Sequence, residues 1–298
     1  MWPGVRLRWE AAAAGPAPVR VHAVSYATPA FARHQAIGVA TARRAGLDTV
    51  RALGPGDLEP DFIARHEEVL SVPTGAGYWL WKPWIISQTL AEVDPGDAVV
   101  YMDAGVHFAA AVDPLVALLE RTGDVLLLSE GFREADYTKR DAFVLLGCDG
   151  PRWWDTPQRF ASVVVVRSSP TARRLVEDWL RACEDPRVLT DAPNEMGEAN
   201  LPGFVAHRHD QSVLSLLSKR AGIEVPDNDL VRLGLNDGEH VLNHPRTAIA
   251  PERVVDHLHG RGWLTATEAR LLVAGPAAAT EDPSGLSVST DASAQTRS

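Results

Sequence analysis

Apolar residues fall along this chain in short runs separated by longer stretches of helical spacing. That alternation predicts an α/β fold with a mostly parallel central sheet flanked by helices. Val19–Val24 alternates well enough for a first strand, Pro29–Ala45 has helical character up to Gly46, and Asp48–Leu53 reads as a second strand. Asp57–His66 reads as a helix with its loop, and Val69–Val72 as a further short apolar run. Ile85, Ile86, Leu90 and Val93 repeat at helical spacing up to Pro95-Gly96. The next run, Ala98–Met102, is mostly apolar and bounded by turn residues, which fits a strand buried on both faces. Asp113-Pro114 then supplies an N-cap and first-turn pair ahead of Leu115, Val116, Leu118 and Leu119. Asp124–Leu128 and Ser162–Val166 read as buried strands. A helix starting at Ser169-Pro170 places Ala172, Leu175, Val176, Trp179, Leu180 and Cys183 on one face, which assigns Trp179 and Cys183 to the core. Asp210 stands at a helix start, with Val213, Leu214 and Leu217 behind it and Gly222 as the stop. Ile223–Pro226 reads as a short edge strand and Thr265–Ala274 as a closing helix.

These elements make one domain over residues 19–265. Met1–Pro18, rich in Ala, Gly and Pro, reads as a flexible leader. After a short helix from residue 266, Gly275–Ser298 lacks periodicity and reads as a disordered tail. Hydrophobic residues make up 45% of the 298, enough to bury a substantial core. The net charge, 29 − 39 = −10 with histidine neutral, argues against a general nucleic-acid partner, which needs a basic face. Two cysteines, Cys148 and Cys183, fit a reducing cytoplasm better than a disulfide framework, with the surface of the inner membrane as a second address. No apolar stretch approaches the ~20 residues of a membrane span.

Candidate chemistry gathers at a few points. Gly96–Gly105 (GDAVVYMDAG) ends its apolar run at Asp103, followed by the small residues Ala104 and Gly105. A carboxylate at the carboxyl end of a buried strand stands where open α/β sheets bind ligands, and a glycine beside it admits a ligand to the backbone. Asp103 therefore reads as facing a nucleotide-sugar diphosphate, directly or through a divalent cation, Mn²⁺ or Mg²⁺; a plain turn cap is the alternative. Ser25 and Tyr26, at the end of the first strand, either offer stacking and hydrogen bonds to a nucleotide base or belong to an ordinary strand-to-helix loop. Gly75–Trp84 (GAGYWLWKPW) sets Lys82 among aromatic residues, Trp81 included, and a desolvated lysine wants an anion such as a diphosphate. Ser129–Asp149, with Lys139, reads as a polar loop, either substrate-facing or a solvated surface segment. Trp153-Trp154 offers a platform for a sugar or a plug for the core. His207, Arg208, His209 and Gln211 crowd around Asp210 more than capping requires. In Asp256–Gly260, His257 and His259 fall on the same side of an extended segment, an arrangement for a metal ligand.

Three of these stretches, Gly75–Pro83, Tyr101–Gly105 and His207–Ser212, together resemble the motifs of a bacterial glycosyltransferase family of the GT-A type, active on capsular or surface polysaccharide. That family shows a GYxYWxWKP-like stretch, a strand ending in YxDAG, and a helix start HRHDQS. The resemblance spans about residues 19–262. It implies a single Rossmann-like domain and a nucleotide-sugar donor, UDP-linked by preference. The implied acceptor is a saccharide or lipid-linked glycan. On this resemblance Asp103, Ala104 and Gly105, with Ser25, Tyr26, Trp81, Lys82 and Lys139, hold the donor. Trp153, Trp154, His207 and His209 face the acceptor. Asp103 matches one aspartate of a D-x-D metal site, whose second carboxylate is replaced by Gly105, so that His257 or His259 and the diphosphate oxygens would add the further ligands, or Lys82 and nearby arginines would neutralise the diphosphate without metal. Asp210 and Gln211 would lie near the anomeric carbon, as electrostatic support in a retaining enzyme or, for Asp210, as base in an inverting one. Two other readings stand beside this one: a sugar-phosphate nucleotidyltransferase, which calls for a Gly-rich basic loop that Ser25–Phe31 lacks, and a non-catalytic glycan-binding module using the tryptophans.

Overall fold

The computed structural model describes residues 19–226, 231–233, 240–244 and 249–274. The expected leader and tail lie outside the described residues.

In chain order the main elements are β1 (Val21–Tyr26), α1 (Ala32–Arg44), β2 (Thr49–Leu53), α2 (Trp81–Glu92), β3 (Ala98–Met102) and β4 (His107–Phe108). There follow α3 (Asp113–Thr122), β5 (Val125–Leu126), β6 (Ser129–Arg133), β7 (Pro157–Arg159), β8 (Val163–Arg167), α4 (Pro170–Cys183) and α5 (His209–Arg220). The last are β9 (Val231–Leu233), β10 (Leu242–His244), α6 (Pro251–Gly260) and α7 (Ala266–Ala274). The central sheet has the order β2-β1-β3-β8-β5. β1 pairs in parallel with β2 and β3, while β8 runs antiparallel to both β3 and β5. Four of its strands therefore point one way and β8 is reversed. Two smaller sheets, β4-β10-β9 and β6-β7, stand apart from it. The fold is α/β, with a mostly parallel sheet between helices.

The continuous apolar runs of β3 and β8 follow from burial on both faces. Val99, Tyr101, Val164 and Val166 pack into one hydrophobic layer with α2, α4 and α5. Ala98, Val100, Met102, Val163 and Val165 pack into the other, with α3 and part of α1. Strand register carries this to the site: Met102 pairs with Val163, so the residues just beyond, Asp103 and Ser162, are neighbours, and Asp103 N donates to Ser162 O at 2.8 Å. α4 is stapled at its start by Ser169, whose hydroxyl accepts from Ala172 N, and buries Ala172, Leu175, Val176, Trp179 and Cys183 as the periodicity predicts. α5 is buried almost all round, and Trp179 Nε1 anchors it by donating to Asp210 O at 2.9 Å.

Four expectations change. Ile223–Pro226 forms no strand. Val69–Val72 is no strand: Val69 and Leu70 belong to a helical turn, Glu67–Leu70. Ser129–Asp149 is not a solvated loop: it carries β6 and two short helices, and buries Glu134, Thr138, Lys139 and Asp141. Glu134 is fully buried because Lys219 Nζ meets it at 2.6 Å and Gln158 and Thr138 donate to it. Asp256–Gly260 lies within α6, where residues two apart point to nearly opposite sides, so His257 and His259 do not share a face. Among the described residues, no helix is long and apolar enough to cross a membrane.

Candidate active site

The site forms where the ends of β1 and β3, the start of α2 and the start of α5 meet. At its centre is Lys82, whose side chain is 3% exposed. Its Nζ lies 3.3 Å from Asp103 Oδ1 and 2.9 Å from Asp210 Oδ2, and donates to Ala161 O at 3.3 Å. Tyr101 completes the group, its hydroxyl donating to Asp103 Oδ1 at 2.5 Å. Burial pulls the Lys82 ammonium down, but Asp103 and Asp210 outweigh it and hold it above its usual range. Burial likewise pushes Asp103 up, and Lys82 and the Tyr101 hydroxyl outweigh that and keep its carboxyl below the usual range. Asp210 is the member that yields: burial, reinforced by the Asp103 charge, pushes it up to about 6 in spite of Lys82. The N-cap of α5 is Arg208 and makes no side-chain cap bond, while the Asp210 carboxylate reaches Lys82.

Two cavities open on this cluster and share Trp79 and Asp103. The first, about 310 Å³, is lined by Tyr26, Thr28, Phe31, Trp81, Ala104, Gly105 and His244, among others. Tyr26 and Trp81 stack there, centroids 3.9 Å apart at 21°, and burial together with the Asp57 charge pushes the Tyr26 phenol up to about 12. The second, about 320 Å³, is polar: Lys82, Ser162, His207, Arg208, His209, Asp210 and Gln211 join the shared pair. Burial holds both histidines below their usual range. Gln211 is fixed by its amide, donating to Gln158 Oε1 at 2.8 Å and accepting from Ala161 N at 3.3 Å.

The wall between the cavities comes from an unusual backbone. Gly75, Ala76, Gly77, Tyr78 and Trp79 all have positive φ, between 51° and 96°. This is a turn of left-handed helix, closed by Tyr78 N donating to Thr74 O at 2.7 Å and Trp79 N to Gly75 O at 3.3 Å. Left-handed turns cost about 1–2 kcal/mol per non-glycine residue, so surroundings must impose them. Glycine is required at two positions. A Cβ on Gly75 would meet the Trp79 ring at 2.3 Å, and one on Gly77 would come within 2.7 Å of Leu70 Cα. Trp81 Nε1 ties down the start of the turn by donating to Gly75 O at 3.0 Å. His209 at the facing helix start also has a positive φ, 49°, and its ring lies against Trp79, 5.7 Å between centroids at 27°.

Of the residues the sequence singles out, the structure gathers Tyr26, Trp81, Lys82, Asp103, Ala104, Gly105, His207, His209, Asp210 and Gln211 around these cavities. It places others elsewhere. Ser25 is buried and its side chain lines neither cavity. Lys139 lines neither cavity: its Nζ donates to Thr190 O at 3.3 Å and Ala192 O at 2.7 Å. Trp153 and Trp154 are half-buried under Arg152 and Arg140, and line neither cavity. His259 points away on α6, its Nδ1 at 2.9 Å from Leu264 O. His244, on a three-residue strand with no local pattern to mark it, lines the first cavity together with Asp103.

A divalent cation does not fit this donor set as a resident group. Asp103 Oδ1 already holds a phenol and faces an ammonium, Gly105 offers no carboxylate, and the described residues contain no group of three or more His, Cys, Asp or Glu placed to hold a metal.

No protein-family model matches this chain, and no curated protein sequence matches it. Solved structures do resemble it. The mouse xyloside xylosyltransferase 1 in its apo form is 14% identical with a TM-score of 0.45, over 76% of this chain and 97% of that one. A glycosyltransferase involved in glycosylation of the major capsid of PBCV-1 is 13% identical with a TM-score of 0.46, over 81% of this chain and 99% of that one. The galactosyltransferase LgtC, in complex with donor and acceptor sugar analogues, is 12% identical with a TM-score of 0.45, over 82% of this chain and 100% of that one.

Proposed function

We propose that this chain is a glycosyltransferase of the GT-A kind that moves a sugar from a nucleotide-diphosphate donor, UDP-linked by preference, to a saccharide or lipid-linked glycan acceptor in surface polysaccharide synthesis. The observation that carries this reading is the sharing of one ammonium, Lys82, by two carboxylates at the meeting of an apolar and a polar cavity. The apolar cavity, floored by the Tyr26–Trp81 stack, suits a nucleoside, whose flat base is bound by stacking. The polar cavity suits a sugar, whose hydroxyls need donors and acceptors on several sides. Asp103 and Trp79 are common to both cavities, which supports their facing the diphosphate that joins the two halves of such a donor.

In this reading the ammonium of Lys82 holds Asp103 and Asp210 in fixed positions and offsets their charge as an anionic donor enters. Asp210, deep in the polar cavity beside Gln211, then faces the anomeric carbon. As the bond to the diphosphate lengthens, positive charge develops on that carbon, and a buried carboxylate nearby stabilises it far more than one in water would. The rigid supports of Gln211 and of the α5 start keep this geometry preorganised.

The test is a thermal-shift screen of the full chain against UDP, UDP-glucose, UDP-galactose and UDP-N-acetylglucosamine, followed by release of UDP with p-nitrophenyl glycosides as acceptors. A specific donor raises the melting temperature by mass action. Asp103→Ala and Asp210→Ala, both folded, are expected to abolish turnover; unchanged turnover in both rejects the assigned site.

A further inference from the structure

The two histidines of the polar cavity differ in a way the sequence does not show. His207 uses both ring nitrogens: Nδ1 accepts from Lys139 N at 3.2 Å and Nε2 donates to Val188 O at 2.9 Å. His209 is held at one nitrogen only, with Nδ1 at 3.0 Å from Leu189 O. A carbonyl oxygen can only accept, so Nδ1 carries the hydrogen, and the neutral ring presents a lone pair at Nε2. Among the described residues no hydrogen bond engages that nitrogen. Asp191 Oδ2 lies 3.9 Å from it, beyond hydrogen-bond reach but close enough to favour an imidazolium.

Resting on the transferase reading above, we infer that His209 is a catalytic residue: its Nε2 accepts the proton of the acceptor hydroxyl during transfer. The hydroxyl oxygen forms a bond to the anomeric carbon. The bond from that carbon to the diphosphate oxygen breaks, and its electron pair leaves with the nucleoside diphosphate. The proton moves to Nε2, and the imidazolium then gives it up to water on the side where Asp191, 56% exposed, opens to solvent. Asp210 is the rival base, but its carboxylate is engaged by the Lys82 ammonium at 2.9 Å.

The surroundings suit the task. The ring is gripped by Tyr78, 4.8 Å between centroids, and by Trp79, 5.7 Å. His209 has a positive φ of 49°, a strained conformation of the kind that gathers at functional sites. The charged and titratable groups facing the imidazole are Asp191, Lys139, His207 and Tyr78. Burial keeps the ring neutral near pH 7, with Lys139 acting in the same sense and Asp191 against it.

Two variants test this with the same UDP-sugar and p-nitrophenyl glycoside probes. His209→Asn suits a positive φ and keeps a donor for Leu189 O, but has no basic nitrogen. It is expected to keep the melting temperature and donor KM while kcat falls about 100-fold or more. His209→Gly tolerates the same φ and opens a hole, and added imidazole is expected to restore transfer in it. An unchanged kcat in His209→Asn, or a folded, donor-binding His209→Gly that imidazole does not revive, overturns the assignment and leaves the transferase reading intact. Wild type that releases UDP from none of these donors overturns both.

Discussion

Asp103 and Asp210, which belong to segments remote in the chain, are joined by the ammonium of Lys82, with Nζ 3.3 Å from one carboxylate and 2.9 Å from the other. Their contrasting protonation follows from position. Asp103 also accepts from Tyr101 and stays ionised, while Asp210, with fewer compensations, is pushed up to about 6 by burial. One cation thus serves two carboxylates of different acidity.

Removing that cation strands two carboxylates in a buried site. Lys82→Met is expected to cost about 3 kcal/mol in stability, the scale of a broken buried ion pair, and to abolish UDP-sugar turnover. Urea unfolding and a UDP-release assay measure the two effects. Stability within error of wild type would show the triad to be energetically inert.

The Asp210 carboxyl links stability to pH with a definite sign. Its folded value, about 6, is above the usual 3.8, so between those values the folded state holds a proton that the unfolded state has lost. Stability contributed by this group therefore falls as pH rises through that window. Asp103, held below the usual range, acts oppositely and contributes stability that is lost only in stronger acid. Measured by urea unfolding between pH 4 and pH 6.5, wild type is expected to lose stability relative to Asp210→Asn as the pH rises. A difference that is flat or rises would contradict the assignment.

Glycines at the site are not equivalent. Gly77 has a φ of 96° and a Cβ there would strike Leu70 backbone, whereas a Cβ on Gly105 would meet nothing within 4 Å. Gly77→Ala is expected to destabilise by about 2 kcal/mol or more, through the strain and the clash together. Gly105→Ala should leave the melting temperature near that of wild type. Thermal unfolding of the pair decides the point.

The donor set around Asp103 makes a parallel prediction for metal. Mn²⁺ alone, without nucleotide, is expected to leave the melting temperature of the wild type unchanged, because too few protein ligands converge to bind it. Gly105→Asp adds a carboxylate in open space beside Asp103 and His244, and there Mn²⁺ is expected to raise the melting temperature. A shift in the wild type would reveal a resident site.

Several of these relationships are legible in the sequence alone. The run Ala98–Met102 is β3 residue for residue, because a strand buried on both faces must be apolar throughout and must stop where a charge appears. The start of α5 at His209-Asp210 and the apolar stripe of α4 follow from helical spacing in the same way. Lys82 amid aromatic residues signalled a buried cation in want of an anion, though not that its anions would be two of the protein's own carboxylates. Ser129–Asp149, with Lys139, reads as a polar loop, because a buried charge neutralised by distant partners leaves no local trace.

The sequence by itself determined the strands of the central sheet, most of the long helices and the types of side chain available at their ends, since period and punctuation are local properties of the chain. Only tertiary structure decided which of those side chains meet. It chose His244 over His259 for the neighbourhood of Asp103 and drew Lys139 away into a cage of carbonyls. It also wound Gly75–Trp79 left-handed, carrying Ala76, Tyr78 and Trp79 into a conformation that glycines permit but only the packing of their neighbours can enforce. The physical reason is the same in each case: ion pairing, ligation and strain depend on distances between segments, and those distances are set by how the layers pack.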